Sequence, residues 1–198
     1  MKQVCVDFET NGYSLEYDSL SVSIRLLNED GSPTDCEFYS MIHSDQKLDP
    51  EAIAVNRLKE EDIRSAPRVR EVVKRFLNWR EENSLLEKVC PMGHNFISFD
   101  KPRLEKMFGD LYNDLFDYHV QDTNVMAQML KKAGLLHVAS CSLDALARHF
   151  RVKNPQAHHA SGDTWTTAQV FVRLVRILQP NFLTRVIRVL IPTFEGTQ

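Results

Sequence analysis

No two cysteines in this sequence stand in a Cys-x-x-Cys spacing: Cys5, Cys36, Cys90 and Cys141 lie far apart. Such a distribution argues against a zinc ribbon or a disulfide scaffold and suits a reducing compartment, with all four read as small buried hydrophobes. No apolar run approaches the length of a membrane span, and the opening Met-Lys-Gln-Val-Cys-Val-Asp reaches an acid too soon for a secretory signal. The expected location is cytoplasmic, with no membrane partner. Positive charge is not in excess either. The 24 Lys and Arg are outnumbered by 27 Asp and Glu, a formal charge of −3, so the chain as a whole has no electrostatic pull on a polyanion. Repeats, low-complexity tracts and long linkers are also missing, so no domain boundary is drawn. Residues 1–198 read as one domain, 43% hydrophobic and able to bury a substantial core, with a last amphipathic helix at about 181–190.

What is present begins as strands. Residues 2 to 8, 19 to 27 and 35 to 42 carry strand patterns, the last two joined by Asn28-Glu29-Asp30-Gly31-Ser32-Pro33, a strong turn signal. The period then changes. Val69, Val72, Val73, Phe76 and Leu77 follow helical spacing, residues 89–92 read as a short buried strand, and Leu104 and Met107 sit in a short helix. A strand is expected near 115–121, then helices through Val125 to Leu130, Leu143 to Phe150 and Ala168 to Leu178, the last ended by Pro180. Three antiparallel strands followed by strand and helix alternation predict an α/β fold: a mixed five-stranded sheet flanked by helices on both faces, for which a ribonuclease H-like sheet is the natural candidate.

The chemistry gathers in three short motifs. In Val-Cys-Val-Asp-Phe-Glu-Thr, side chains alternate faces, so Val4, Val6 and Phe8 point one way while Cys5, Asp7 and Glu9 point the other. Two carboxylates on one face are half of an oxygen site for a hard divalent cation. Thr10, Asn11, Gly12 and Tyr13 then break the strand, and a turn there would present backbone N–H groups beside the acids. The second motif runs from His94-Asn95 to Phe99-Asp100-Lys101-Pro102. Asp100 has a plain structural reading as a helix N-cap ahead of a first-turn proline. The third is His158-His159-Ala160-Ser161-Gly162-Asp163, leading into the last buried helix. Asp163 could simply complement that helix's dipole, as Asp122 would in its own helix, but an imidazole close by offers a proton acceptor that titrates near neutral pH.

Taken together and in this order, the motifs resemble the DnaQ-like, or DEDDh, 3′-to-5′ exonucleases of the ribonuclease H-like superfamily. The family's Asp-x-Glu-Thr and its small turn match Asp7, Glu9, Thr10, Asn11 and Gly12; its His-Asn with an aromatic-Asp matches His94, Asn95, Phe99 and Asp100; its His-x-Ala-x-x-Asp matches His158, Ala160 and Asp163. Ala52 to Ile63 and Ser142 to Ala147 look similar too, so the likeness spans nearly the whole chain. His94 and Asp100 are one residue further apart than in the commonest spacing, a variant similar to polymerase proofreading domains. Thr164 and Trp165 stand where small residues are usual, which would narrow the site.

The resemblance implies a metal-dependent enzyme hydrolysing phosphodiester bonds from a free 3′ end of nucleic acid and releasing nucleoside 5′-monophosphates. Asp7, Glu9 and Asp163 would hold one Mg²⁺ or Mn²⁺, Asp7 and Asp100 a second, and His158 would be the base. Thr10, Asn11, Gly12, Tyr13, His94 and Asn95 would grip the terminal nucleotide, with Lys101, Arg103, Lys106, Arg148, Arg151 and Lys153 as candidate guides for the strand. Single-stranded DNA is the expected substrate. An exoribonuclease or oligoribonuclease acting on RNA, and a nucleic-acid-binding or polymerase-associated proofreading subunit, stand as alternatives. The oligomeric state, a homodimer included, is left open.

Overall fold

A computed structural model describes residues 1–153 and 157–179. Five strands form one sheet in the order β3-β2-β1-β4-β5. The first three, β1 (Gln3–Thr10), β2 (Ser19–Leu27) and β3 (Pro33–Met41), run antiparallel, and β4 (Cys90–Gly93) and β5 (Gln121–Asp122) continue parallel to β1. The β2–β3 hairpin closes where the turn signal lies, with the Asn28 and Gly31 amides bonded to the Ser32 and Asn28 carbonyls. Gly31 is needed twice over: its φ is +81°, and a Cβ there would lie 2.4 Å from the Phe171 ring.

Between β3 and β4 lie α1 (Pro50–Asn56), α2 (Glu60–Ser65) and α3 (Val69–Glu82). After β4 come α4 (Asp100–Phe108), a 3₁₀ turn at Gly109–Leu111 and the short α5 (Tyr112–Leu115). Beyond β5, α6 (Thr123–Lys132), α7 (Leu143–Phe150) and α8 (Ala160–Leu178) complete the described chain. Strand alternation sorts the core into two sides. Val4, Val6, Phe8, Val22, Ile24 and Phe38 pack on α3 and α4, whereas Cys5, Leu27 and Met92 meet Ala168 and Phe171 of α8. A third cluster joins α6, α7 and α8 through Leu130, Leu146 and Leu174. The result is the mixed five-stranded sheet with helices that the sequence pattern predicts.

Two expectations change. The strand expected near 115–121 shrinks to one bridge between Val89 and Phe116 and the two residues of β5. Tyr112 and Leu115 enter the core from a helix, Phe116 stacks on Tyr112 and Phe76, and the Asp117 carboxylate then accepts the His119 N–H in a polar turn. Secondly, only Cys5 and Cys90 are fully buried. Cys36 and Cys141 are half-buried, the former with its Sγ against Asn83 Oδ1 at 3.1 Å. The last described helix, α8, ends at the expected Leu178 with Gln179 as its C-cap; Pro180 and the helix expected at about 181–190 lie outside the described residues. No helix among the described residues is long and apolar enough to cross a membrane.

Phe76 is the hub of the larger cluster, in ring contact with Phe38, Trp79, Phe108 and Phe116. Phe76→Ala should lower stability by about 3 to 5 kcal/mol in urea unfolding, the usual cost of emptying such a site. A loss below about 1 kcal/mol would mean the cluster collapses into the gap.

Candidate active site

Acids from three elements meet at the end of β1. Asp7 and Glu9 leave β1 on the face opposite Val6 and Phe8, and their partners across β2 are the small Ser23 and Ser21. Asp163 arrives from the first turn of α8. Carboxylate oxygens of Asp7, Glu9 and Asp163 all lie within 4.8 Å of one another. Asp100 enters from α4 in a manner the N-cap reading does not describe. Phe99 occupies the cap position without a side-chain bond, and the Asp100 carboxylate instead accepts the Phe8 N–H of β1 at 3.1 Å. That amide is available because β4 pairs with β1 only through Cys5. A Cβ on Gly93, where β4 ends, would sit 2.8 Å from the Val6 carbonyl oxygen, so the chain can leave the strand this closely only as glycine.

Burial and mutual repulsion dominate the electrostatics. The Asp7 carboxyl is pushed well above the usual range by burial first, then by Asp100, Asp163 and Glu9. Burial and then Asp163 raise Glu9 to about 7. Asp100, 1% exposed, is also raised by burial, against the Phe8 N–H and the Arg103 charge that favour its ionised form. No lysine or arginine among the described residues forms an ion pair with Asp7, Glu9 or Asp100. Crowded carboxylate oxygens, with no lysine or arginine of the described residues ion-paired to Asp7, Glu9 or Asp100, are a donor set that suits a hard divalent metal. A cleft of about 470 Å³ opens over them, its lining including Asp7, Glu9, Asp163, His158, Tyr13 and Phe99.

The neighbouring histidines take different places. His158 adopts a left-handed φ of +63°, donates its backbone N–H to Asp163 Oδ2 at 3.1 Å, and lines the cleft with its Nε2 3.9 Å from Asp144 Oδ2. A non-glycine residue held in that region is a common mark of a functional loop. His159 is the N-cap residue of α8 and stacks on Tyr39, ring centroids 5.1 Å apart, with a buried Nδ1 that has no hydrogen-bond partner among the described residues.

The other expected site residues divide. Thr10, Gly12 and Tyr13 line the cleft. Asn11 does not; fully buried, it donates to the Lys47 carbonyl and accepts the Asp49 N–H, tying the loop to the start of α1. His94 and Asn95 also lie outside the lining. His94 Nδ1 meets Thr123 Oγ1 at 2.9 Å, and burial lowers its pKa to about 4. Asp122 accepts the Asn95 and Ile97 N–H groups as well as capping α6, a second role that its position before Thr123 did not reveal.

Neither Thr164 nor Trp165 narrows the cleft: Thr164 is buried against Ser23, and the Trp165 ring faces the Arg25 guanidinium. Among the candidate guides, Arg103 is a buried clamp. Its guanidinium lies 3.7 Å from the Phe99 ring centroid and donates to the carbonyls of Phe99 at 2.8 Å and Tyr13 at 2.7 Å. Lys101 pairs with Glu105, and Lys106, itself exposed, donates to the Leu15 carbonyl; Arg148, Arg151 and Lys153 are exposed as well. The only earlier sign of the clamp was a basic residue one turn into the helix after Asp100.

Known proteins resemble this arrangement. The profile of the RNase_T exonuclease family matches residues 4–171. A PolC-type DNA polymerase III of Staphylococcus haemolyticus is 25% identical over 87% of this chain, which spans only 11% of that polymerase's length. The fold is similar to that of E. coli exonuclease I in complex with a dT13 oligonucleotide, with a TM-score of 0.71 and 16% identity over 96% of this chain and 43% of that one. Exonuclease X in complex with 5′ overhanging duplex DNA gives a TM-score of 0.63 and 18% identity over 88% of this chain and 91% of that one.

The raised carboxyls set a pH dependence. A carboxyl that holds its proton more tightly folded than unfolded contributes nothing below its unfolded pKa and destabilises increasingly as pH rises towards the folded value. For Glu9 that window runs from 4.5 to about 7. In chelator, the melting temperature should fall across this range, and Glu9→Gln or Asp7→Asn should reduce the slope and melt no lower than wild type at pH 8. A metal-free melting temperature that climbs from pH 5 to 7 would contradict the repulsion.

Proposed function

This chain belongs to the RNase_T exonuclease family, and on that premise we propose that residues 1–198 form a single exonuclease domain that hydrolyses nucleic acid from its 3′ end and releases nucleoside 5′-monophosphates. The observation that carries this reading is the meeting of Asp7, Glu9 and Asp163 within 4.8 Å, with His158 on the same cleft. Bound at Asp7, Glu9 and Asp163 and at Asp7 and Asp100, two Mg²⁺ or Mn²⁺ ions would polarise the scissile phosphate, acidify the attacking water and stabilise the departing oxygen.

The chain's own groups do the rest. Asp7 belongs to both ligand sets, so its loss should be the least tolerated. Asp100 is oriented by the Phe8 N–H before any ligand arrives. The His158 imidazole takes the proton of the attacking water, on a loop whose backbone N–H is bonded to Asp163. Thr10, Gly12 and Tyr13 hold the terminal nucleotide, with the exposed Tyr13 ring 5.5 Å from Phe99 at the cleft mouth. Aromatic faces of this kind stack on bases whatever their identity, so a free end rather than a sequence is recognised.

Single-stranded DNA is the substrate we favour, supported by the likeness to an exonuclease seen with dT13. The similarity to a fold seen on a duplex with a 5′ overhang supports recessed 3′ ends as the second reading. Labelled single-stranded DNA, recessed duplex and RNA, each with Mg²⁺ or EDTA, separate these readings. A 3′-end ladder on single-stranded DNA, abolished by EDTA and by a blocked 3′ terminus, is expected. Fragments released from circular single strands would refute exonuclease polarity, and a retarded but intact strand would indicate a binding module.

Substitutions test the roles. Asp7→Asn should abolish cleavage. His158→Ala should lose on the order of 10² to 10⁴ in rate, the usual worth of a general base, while His159→Ala loses far less. A crippled His159→Ala beside an active His158→Ala would reassign the base.

A further inference from the structure

The acid-bearing face of β1 continues across the sheet as a polar strip. Register pairs Asp7 with Ser23 and Cys5 with Arg25, and then Arg25 with Glu37. Paired residues share a face, so Ser23, Arg25 and Glu37 lie beside the acids on the side that α8 covers. Arg25 is 5% exposed, and Nη2 reaches Glu37 Oε2 at 2.7 Å. The same nitrogen donates to the Ser161 carbonyl at 3.3 Å and hydroxyl at 3.2 Å, Nε to Thr164 Oγ1 at 3.4 Å, and Nη1 to the Thr34 carbonyl at 2.9 Å. Glu37 closes the circuit by accepting the Ser23 hydroxyl at 2.6 Å and the Ser161 hydroxyl at 2.9 Å. Ser161 and Thr164 flank Asp163 on the first turn of α8.

A buried ion pair is a poor source of stability, since desolvation can cancel its attraction and apolar replacements are often neutral or better. Its better-attested use is to specify geometry. Here four of the pair's six remaining bonds reach Ser161 or Thr164, on the helical turn that must hold Asp163 against the repulsion of Asp7 and Glu9.

We propose that Arg25, oriented by Glu37, is the positioning residue that sets Asp163 against Asp7 and Glu9, so that cation binding at the three acids depends on a guanidinium one strand away. It acts through Ser161 and Thr164. The inference rests on the reading of those acids as cation ligands.

Titration calorimetry with Mn²⁺ alone, without nucleic acid, and melting of the same full-length samples in chelator separate positioning from simple support. Arg25→Lys keeps the charge and loses the planar fork. Both it and Ser161→Ala should weaken Mn²⁺ binding by about 10 to 100-fold, the range for residues that orient metal ligands. Arg80, 6% exposed and bonded to the carbonyls of Leu85, Glu87 and Leu115, is the comparison. Arg80→Lys should melt lower with unchanged Mn²⁺ affinity. Added to Asp163→Asn, Arg25→Lys should weaken binding no further.

Wild-type affinity in Arg25→Lys, or Mn²⁺ losses in Arg25→Lys and Arg80→Lys that merely follow their melting temperatures, would overturn the proposal. Should Arg25→Lys fail to fold, Ser161→Ala, which removes one hydroxyl, decides the matter alone. Absence of Mn²⁺ binding in wild type, or full binding by Asp163→Asn, would instead overturn the ligand reading and the positioning role with it.

Discussion

Carboxylates gathered within 4.8 Å and half-buried resist both one another and their own ionisation. Holding them there requires rigid elements on every side, and the fold supplies these. Asp7 and Glu9 stand on β1, the middle strand of the sheet, paired with β2 beside the acids and with β4 as far as Cys5, and anchored underneath by Val4, Val6 and Phe8. Asp163 stands on the 19-residue α8, whose buried face meets both the sheet and the α6–α7 pair. Repulsion at the cleft is thus opposed by packing that lies well away from it.

The same sheet has two chemically different sides. One is the aromatic and aliphatic layer around Phe76, tolerant of small shifts because dispersion has little direction. The other begins apolar at Cys5 and Met92 and becomes polar beside the acids, where Ser23, Arg25, Glu37, Ser161 and Thr164 bond to one another. Hydrogen bonds are directional, so a polar layer restricts the helix turn it touches more tightly than an oily one would.

The cleft rim follows a related rule. Buried polar side chains rarely stay unbonded, and here they satisfy backbone groups of loops. Asn11 holds residues 47 to 49, Arg103 holds Phe99 and Tyr13, and Asp122 holds residues 95 and 97. Loops secured from behind can leave a ring such as Tyr13 exposed at the mouth without losing its place.

The sequence alone determined what local periodicity and short-range order determine. Period-two alternation put Asp7 and Glu9 on one face, helical stripes marked α3, α6, α7 and α8, and the Asn28 to Pro33 turn marked the hairpin. The ordered acids and histidines pointed to the exonuclease family that the profile over residues 4–171 identifies. Tertiary structure decided whatever joins residues distant in the chain. That includes the 92-residue reach from Asp100 to the Phe8 amide, the 136-residue reach from Arg25 to Ser161, the burial of Asn11 and Arg103, and the departure of His94 from the cleft lining. It also includes the lost strand near residue 116, where an apolar run served a helix and a ring stack as well as it would have served a sheet. A side chain's type and spacing show which bonds it can make; only the folded chain brings one partner, out of many equivalent carbonyls and hydroxyls, within about 3 Å.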